Sequence, residues 1–126
     1  MIIKTSLAKA AACNAITGLA DSGSDRSSGF ISLMTTDAST IVSLSMSNPA
    51  FMTSYDGTSY ANPIYDATAL RDGNAVYFTL NNRDSSEIFR GAVSTRGGGG
   101  DLVLNYTSIL EDSSVSITSF KYNVPS

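Results

Sequence analysis

Enzymes of the commonest kinds draw on histidine, and this chain of 126 residues has none. That removes the usual general base near neutral pH and the commonest metal ligand. Serine is abundant, but no histidine or well-placed lysine stands ready to activate one as a nucleophile. The acidic pair Glu111-Asp112 has the residue types of glycosidase chemistry. Its setting in a turn-like stretch favours solvation or capping instead, since surface carboxylates are the rule. Asp21-Ser22-Gly23-Ser24-Asp25 offers oxygen ligands for calcium, but the spacing is not that of an EF-hand and no glutamate is placed to close the loop. Gly97-Gly98-Gly99-Gly100 is not a phosphate loop, because no strand–glycine–helix unit with a lysine surrounds it. It reads as a flexible hairpin tip. The expectation is a non-enzymatic protein without cofactor or metal.

The one cysteine excludes an intrachain disulfide and a cysteine metal cluster. Ala10-Ala11-Ala12-Cys13 has the outline of a lipidation signal, but Lys9 interrupts the apolar region and only a short stretch precedes it. Cys13 is expected to pack as a small apolar residue. Asn105-Tyr106-Thr107 matches a glycosylation acceptor, read as accidental where no secretory signal is recognised. Eight Lys plus Arg stand against eleven Asp plus Glu, and the basic residues are scattered. No electrostatic footprint for nucleic acid results, and no run is long enough for a transmembrane helix. Binding surfaces therefore become the candidates. Tyr55, Tyr60 and Tyr65 fall close together around an Asp56-Gly57 turn and suit an exposed contact patch, for protein or glycan. Tyr77 is expected to face a helix, a loop or a neighbouring subunit.

These residues need a scaffold, and composition says which. Ser and Thr number 33, and Asn plus Gly add 18. Such residues favour turns and pleated surfaces, while helix formers are scarce. A single domain over 1–126 is expected, all-β in class, with one helix over about 5–20 and strands from about 30 to 123. Thr5 or Ser6 caps the helix. Leu7, Ala8, Ala11, Ala12, Ala15, Ile16 and Leu19 form its apolar stripe, with Lys9 and Asn14 off it. Ala8, Ala12 and Ile16 are placed either over the end of the sheets or on a second copy. Residues 21–29 read as an exposed, mobile loop.

Strands follow at Phe30–Thr35 and Thr40–Ser47, where Val42, Leu44 and Met46 alternate with serines. Asn48-Pro49 stops the ladder, and Ala50-Phe51 returns to the core. The strongest strand signal is Gly73–Asn82, with Val76, Phe78 and Leu80 expected to fill the core. Glu87–Thr95 and Asp101–Asn105 come next. In Ser114–Asn123 the apolar parity switches between Ile117 and Phe120, which predicts a bulge or bend near Thr118-Ser119. Seven or eight strands with no crossover helices imply a two-sheet antiparallel sandwich with jelly-roll or other Greek-key connections.

Several segments also resemble one family. They are Pro49-Ala50-Phe51, Ala61-Asn62, Asp66-Ala67-Thr68-Ala69, Ala75-Val76-Tyr77-Phe78, Phe89-Arg90-Gly91-Ala92-Val93, Asp101-Leu102-Val103-Leu104-Asn105 and Ser114 to Phe120, with Pro125 closing. In this order, behind a short helix, the chain is similar to the small jelly-roll-type capsid decoration (cement) proteins of tailed bacteriophages. It departs where those often carry Trp-Phe-Arg in the central strand; Tyr77-Phe78-Thr79 stands there. The resemblance implies a virion protein on the capsid exterior, made in the host cytoplasm. Its partners would be the major capsid protein and itself, as a dimer or trimer, with no nucleic acid and no membrane. No catalytic residues carry over. A collar, neck or tail component of the same virion is the near alternative, and a glycan- or receptor-binding module the more distant one.

Overall fold

The computed structural model describes residues 2–125. The fold is mainly β, preceded by one helix, α1 (Ser6–Gly18), which passes into a short 3-10 turn at Leu19–Asp21. Thr5 is the N-cap: its hydroxyl accepts a hydrogen bond from the Ala8 N–H at 3.2 Å, satisfying a donor the helix leaves unpaired. Alanine carries the helix interior, and Gly18 does not break it.

Five strands form the main sheet: β1 (Phe30–Met34), β2 (Thr40–Ser45), β6 (Tyr77–Asn81), β7 (Glu87–Ser94) and β8 (Leu102–Val103), in the order β2-β1-β6-β7-β8. The remaining strands are short: β3 (Thr58–Tyr60), β4 (Ala67–Thr68), β5 (Gly73–Asn74), β9 (Ser108–Ile109), β10 (Ser114–Val115) and β11 (Lys121–Asn123). They pair antiparallel as β3 with β11, β4 with β10 and β5 with β9. Residues 58–70 thus run antiparallel to 113–123, with Ala61 N–H to Phe120 C=O and Ala69 N–H to Ser113 C=O, both at 2.9 Å, between the named strands. The same stretch lies along β2, where Tyr65 N–H meets Ser45 C=O at 2.9 Å and Leu70 N–H meets Ile41 C=O at 2.8 Å. The main sheet is therefore continued and curls over the core.

One core fills the space between the layers. Ile31, Leu33, Leu44, Phe78 and Leu80 come from the main sheet, and Phe51, Val115, Ile117 and Phe120 from the opposite side. Phe78 meets Phe120 edge-to-face at 5.3 Å between ring centroids, a preferred aromatic geometry. The alternation expected of β2 holds: Val42, Leu44 and Met46 are buried, while Ser45 is exposed and Ser43 and Ser47 are half-buried. Ala50 and Phe51 do return to the core behind Pro49, and the parity switch in the last segment is real. Val115, Ile117 and Phe120 are all buried, and pairing is interrupted between β10 and β11.

Three expectations are corrected. Gly73–Asn82 is not one strand: β5 pairs with β9 and Ala75 continues that pairing through Thr107, whereas Val76 already bonds to Met34 and Val93 and leads β6 into the main sheet. Val76 is consequently half-buried, whereas Phe78 and Leu80 are core. The four glycines are not a hairpin tip, because β8 lies parallel to β7, with Val93 beside Leu102. So short a parallel return needs unusual backbone, and Gly97 and Gly99 supply it at φ of 86° and 80°. A Cβ at Gly100 would lie 2.8 Å from the Ser94 amide nitrogen, so that position also excludes a side chain. Finally, Ser22 to Ser27 is exposed as expected, but it is fastened. Asp84 accepts hydrogen bonds from the Ser24 and Asp25 N–H groups at 2.8 and 3.0 Å, and Arg26 and Arg83 bond through their main chains at 3.1 Å.

Candidate protein-contact surface

α1 lies across β3 and β11, and the face it turns inward is not the predicted apolar stripe. Ala10, Cys13, Thr17 and Ala20 are buried, also at a three-to-four spacing, and their small size lets the helix approach closely. Polar anchors fix that orientation. The Asn14 amide donates to the Ser54 carbonyl at 3.1 Å and accepts from the Ser54 N–H at 2.7 Å. The Lys9 stem covers Gly57, where an added Cβ would lie 2.8 Å from the Lys9 Cβ. The Thr17 hydroxyl donates to the Cys13 carbonyl at 2.9 Å. As a result Leu7, Ala8, Ala11, Ala15 and Leu19 face outward, while Ala12 and Ile16 are half-buried at the border. Ile2 and Ile3, just ahead of the cap, are 93% and 81% exposed, and Leu7 is 82% exposed. The Ile-Ile pair before a cap residue was the legible signal for this further apolar exposure; periodicity within the helix does not contain it.

Tyr55, Tyr60 and Tyr65 are all exposed, at 83%, 55% and 62%. They stand at separate points along residues 55–65 rather than in a common turn. Tyr55 follows Ser54 beside Asn14 of the helix, Tyr60 pairs with Lys121 in β11, and Tyr65 bonds to Ser45 at the end of β2. Tyr77 is half-buried, with the Arg90 guanidinium 5.2 Å from its ring centroid. A second apolar exposure lies away from these residues, in Leu70, Tyr106 and Leu110. Tyr106 and Leu110 line a groove of about 360 Å³ together with Leu104, Ile109 and Val115. Nothing in the pattern of single strands marks it.

The ionisable groups are structural in their contacts. Asp21 accepts from the Ala50 N–H at 2.9 Å, so the acidic loop fixes the return to the core. Among the described residues no cluster of three or more His, Cys, Asp or Glu could hold a metal ion. Backbone N–H groups of Ser24 and Asp25 hold the Asp84 carboxyl below its usual value, and the Thr35 hydroxyl does the same for Asp37. The Arg90 guanidinium grips Glu87 at 2.8 and 2.9 Å and lowers its carboxyl likewise. Burial pushes the Tyr122 phenol up. Among the described residues no helix is long and apolar enough to cross a membrane. No family model, no curated protein and no solved structure matches the chain.

Proposed function

We propose that this chain is a non-enzymatic virion protein that binds the outer surface of a phage capsid, associates with copies of itself and reinforces the shell. One observation carries the reading: Leu7, Ala8, Ala11, Ala15 and Leu19 of the α1 stripe are exposed, and so are Ile2 and Ile3 just ahead of the helix. A domain this small that leaves such residues in water has a use for them at an interface. A standard interface takes about 800 Å² per partner, a large share of so small a surface. Copies bound side by side on a lattice also gain effective concentration from their neighbours, so each contact can be modest. The curled β scaffold is compatible with the jelly-roll proteins of that class.

Purified protein mixed with undecorated mature heads should bind saturably and stoichiometrically, with density on the icosahedral faces in reconstructions of the particle. Absence of binding at micromolar concentration counts against the assignment, and density confined to the tail vertex turns it into a collar or tail component.

A further inference from the structure

A groove of about 460 Å³ separates β7 from β11, which do not pair with each other. It is the seam of the curled sheet: one wall belongs to the main sheet, the other to the layer that continues it past β2. Phe78, Phe89, Phe120 and Tyr122 floor it, and Phe89 stacks on Tyr122 at 4.9 Å and 19°.

Both walls are strand edges with main-chain groups turned into the gap. The Val93 N–H bonds the Val76 carbonyl, so Phe89 and Gly91 share its direction toward β6, and Arg90 and Ala92 point the other way. The Ala92 N–H confirms this by donating to the Asp101 carboxylate at 3.0 Å. On β11, the Phe120 carbonyl and the Val124 N–H bond toward the β3 side, which leaves Lys121 and Asn123 facing the gap. The free β7 edge is short. It runs from the Asp101 cap to the register shift beside Glu87.

We propose that this seam binds a short extended peptide as an added strand, from a partner whose segment alternates apolar and acidic residues. The apolar side chains would enter over the aromatic floor. The outward-pointing ones would lie between Arg90 and Lys121, cross-strand neighbours on either side. Arg90 is 60% exposed and already shares its charge with Glu87; among the described residues no acid pairs with Lys121. Asp101 also lines the groove, its carboxylate engaged by the Ala92 N–H, so Lys121 is the rim charge left to a ligand: a carboxylate beside it is complementary and an ammonium there is opposed. The inference does not depend on the capsid reading.

The test uses the full chain and labelled peptides of about six residues: alternating isoleucine and glutamate, alternating isoleucine and lysine, and the acidic one with alternate prolines. The acidic peptide should bind and slow amide exchange at Arg90, Lys121 and Asn123. The proline peptide should fail, and Lys121→Glu should weaken binding at least about tenfold. Arg90→Pro, which removes a donor the β6 ladder does not use, should weaken binding of the acidic peptide and its protection of Lys121 and Asn123. Equal binding of the acidic and basic peptides, or binding without amide protection, overturns the proposal. So would release of self-association by the peptide, because a segment of a second copy would then be the occupant.

Discussion

Phe78 shows how much one position can be asked to do. It is 1% exposed and meets Phe120 at 5.3 Å and Phe89 at 6.2 Å, both edge-to-face. It joins the main sheet to the opposite layer, and no smaller side chain spans that distance. Gly91 on the neighbouring strand is matched to it: a Cβ there would stand 2.8 Å from both the Phe78 ring and the Asp101 carboxylate. Phe78→Ala should therefore destabilise the protein by about 3–5 kcal/mol, because it removes the ring and leaves a cavity that rigid strands cannot close. Urea unfolding followed by circular dichroism measures it, and a loss under about 1 kcal/mol would mean that the neighbouring rings collapse into the space. This role was legible in the alternation of β6. Its partners were not, because alternation states which face is apolar and never what lies opposite.

At the scale of elements, the segment 22–29 argues against equating a polar, turn-rich stretch with looseness. The Asp84 carboxylate takes two N–H groups from it, and Gly23, at φ 111°, brings the backbone close enough for that contact. Composition predicted the exposure of Ser22 to Ser27 but not the burial of Ser28 and Gly29, and the clamp joins residues sixty positions apart and leaves no local trace. Its pH dependence has a definite sign. A carboxyl whose folded pKa lies below its ordinary value of 3.8 contributes stability above that value and loses it as pH falls through the depressed one. Amide exchange at Ser24 and Asp25 should thus remain slow from neutral pH through the ordinary carboxylate range. Relative to its intrinsic rate it should accelerate only in more acid solution. Asp84→Asn should flatten that acid dependence, and an unchanged profile in the variant would remove Asp84 as its cause. The helix gives the opposite lesson. Its existence and its cap were plain in the sequence, but two small-residue faces share it, and Asn14 and Lys9 decide between them through Ser54 and Gly57.

The whole molecule keeps its polar chemistry internal and its apolar chemistry partly outside. Among the described residues every buried side-chain nitrogen and oxygen has a hydrogen-bond partner, whereas Ile2, Ile3 and Leu7 stand in solvent. Fold class and most strand positions followed from composition and alternation. The parallel β7–β8 pair and the open seam did not, since the first depends on a tight glycine return and the second on two strands that stay unpaired, neither of which is written in any strand's own pattern. If the outward stripe is an interface, folding and association must be separable there. Ala11→Glu with Ala15→Glu places two charges on the exposed side of α1, opposite the Cys13 and Thr17 contacts. Glutamate propagates a helix nearly as well as alanine, so unfolding free energy should change by no more than about 0.5 kcal/mol per site. Self-association, read by sedimentation equilibrium, and binding to undecorated heads should fall together, because desolvating two unpaired carboxylates opposes any apolar contact. Unchanged association in a normally folded variant would move the interface off the helix, to the second apolar exposure around Leu70, Tyr106 and Leu110, where the same pair of measurements on Leu110→Glu locates it.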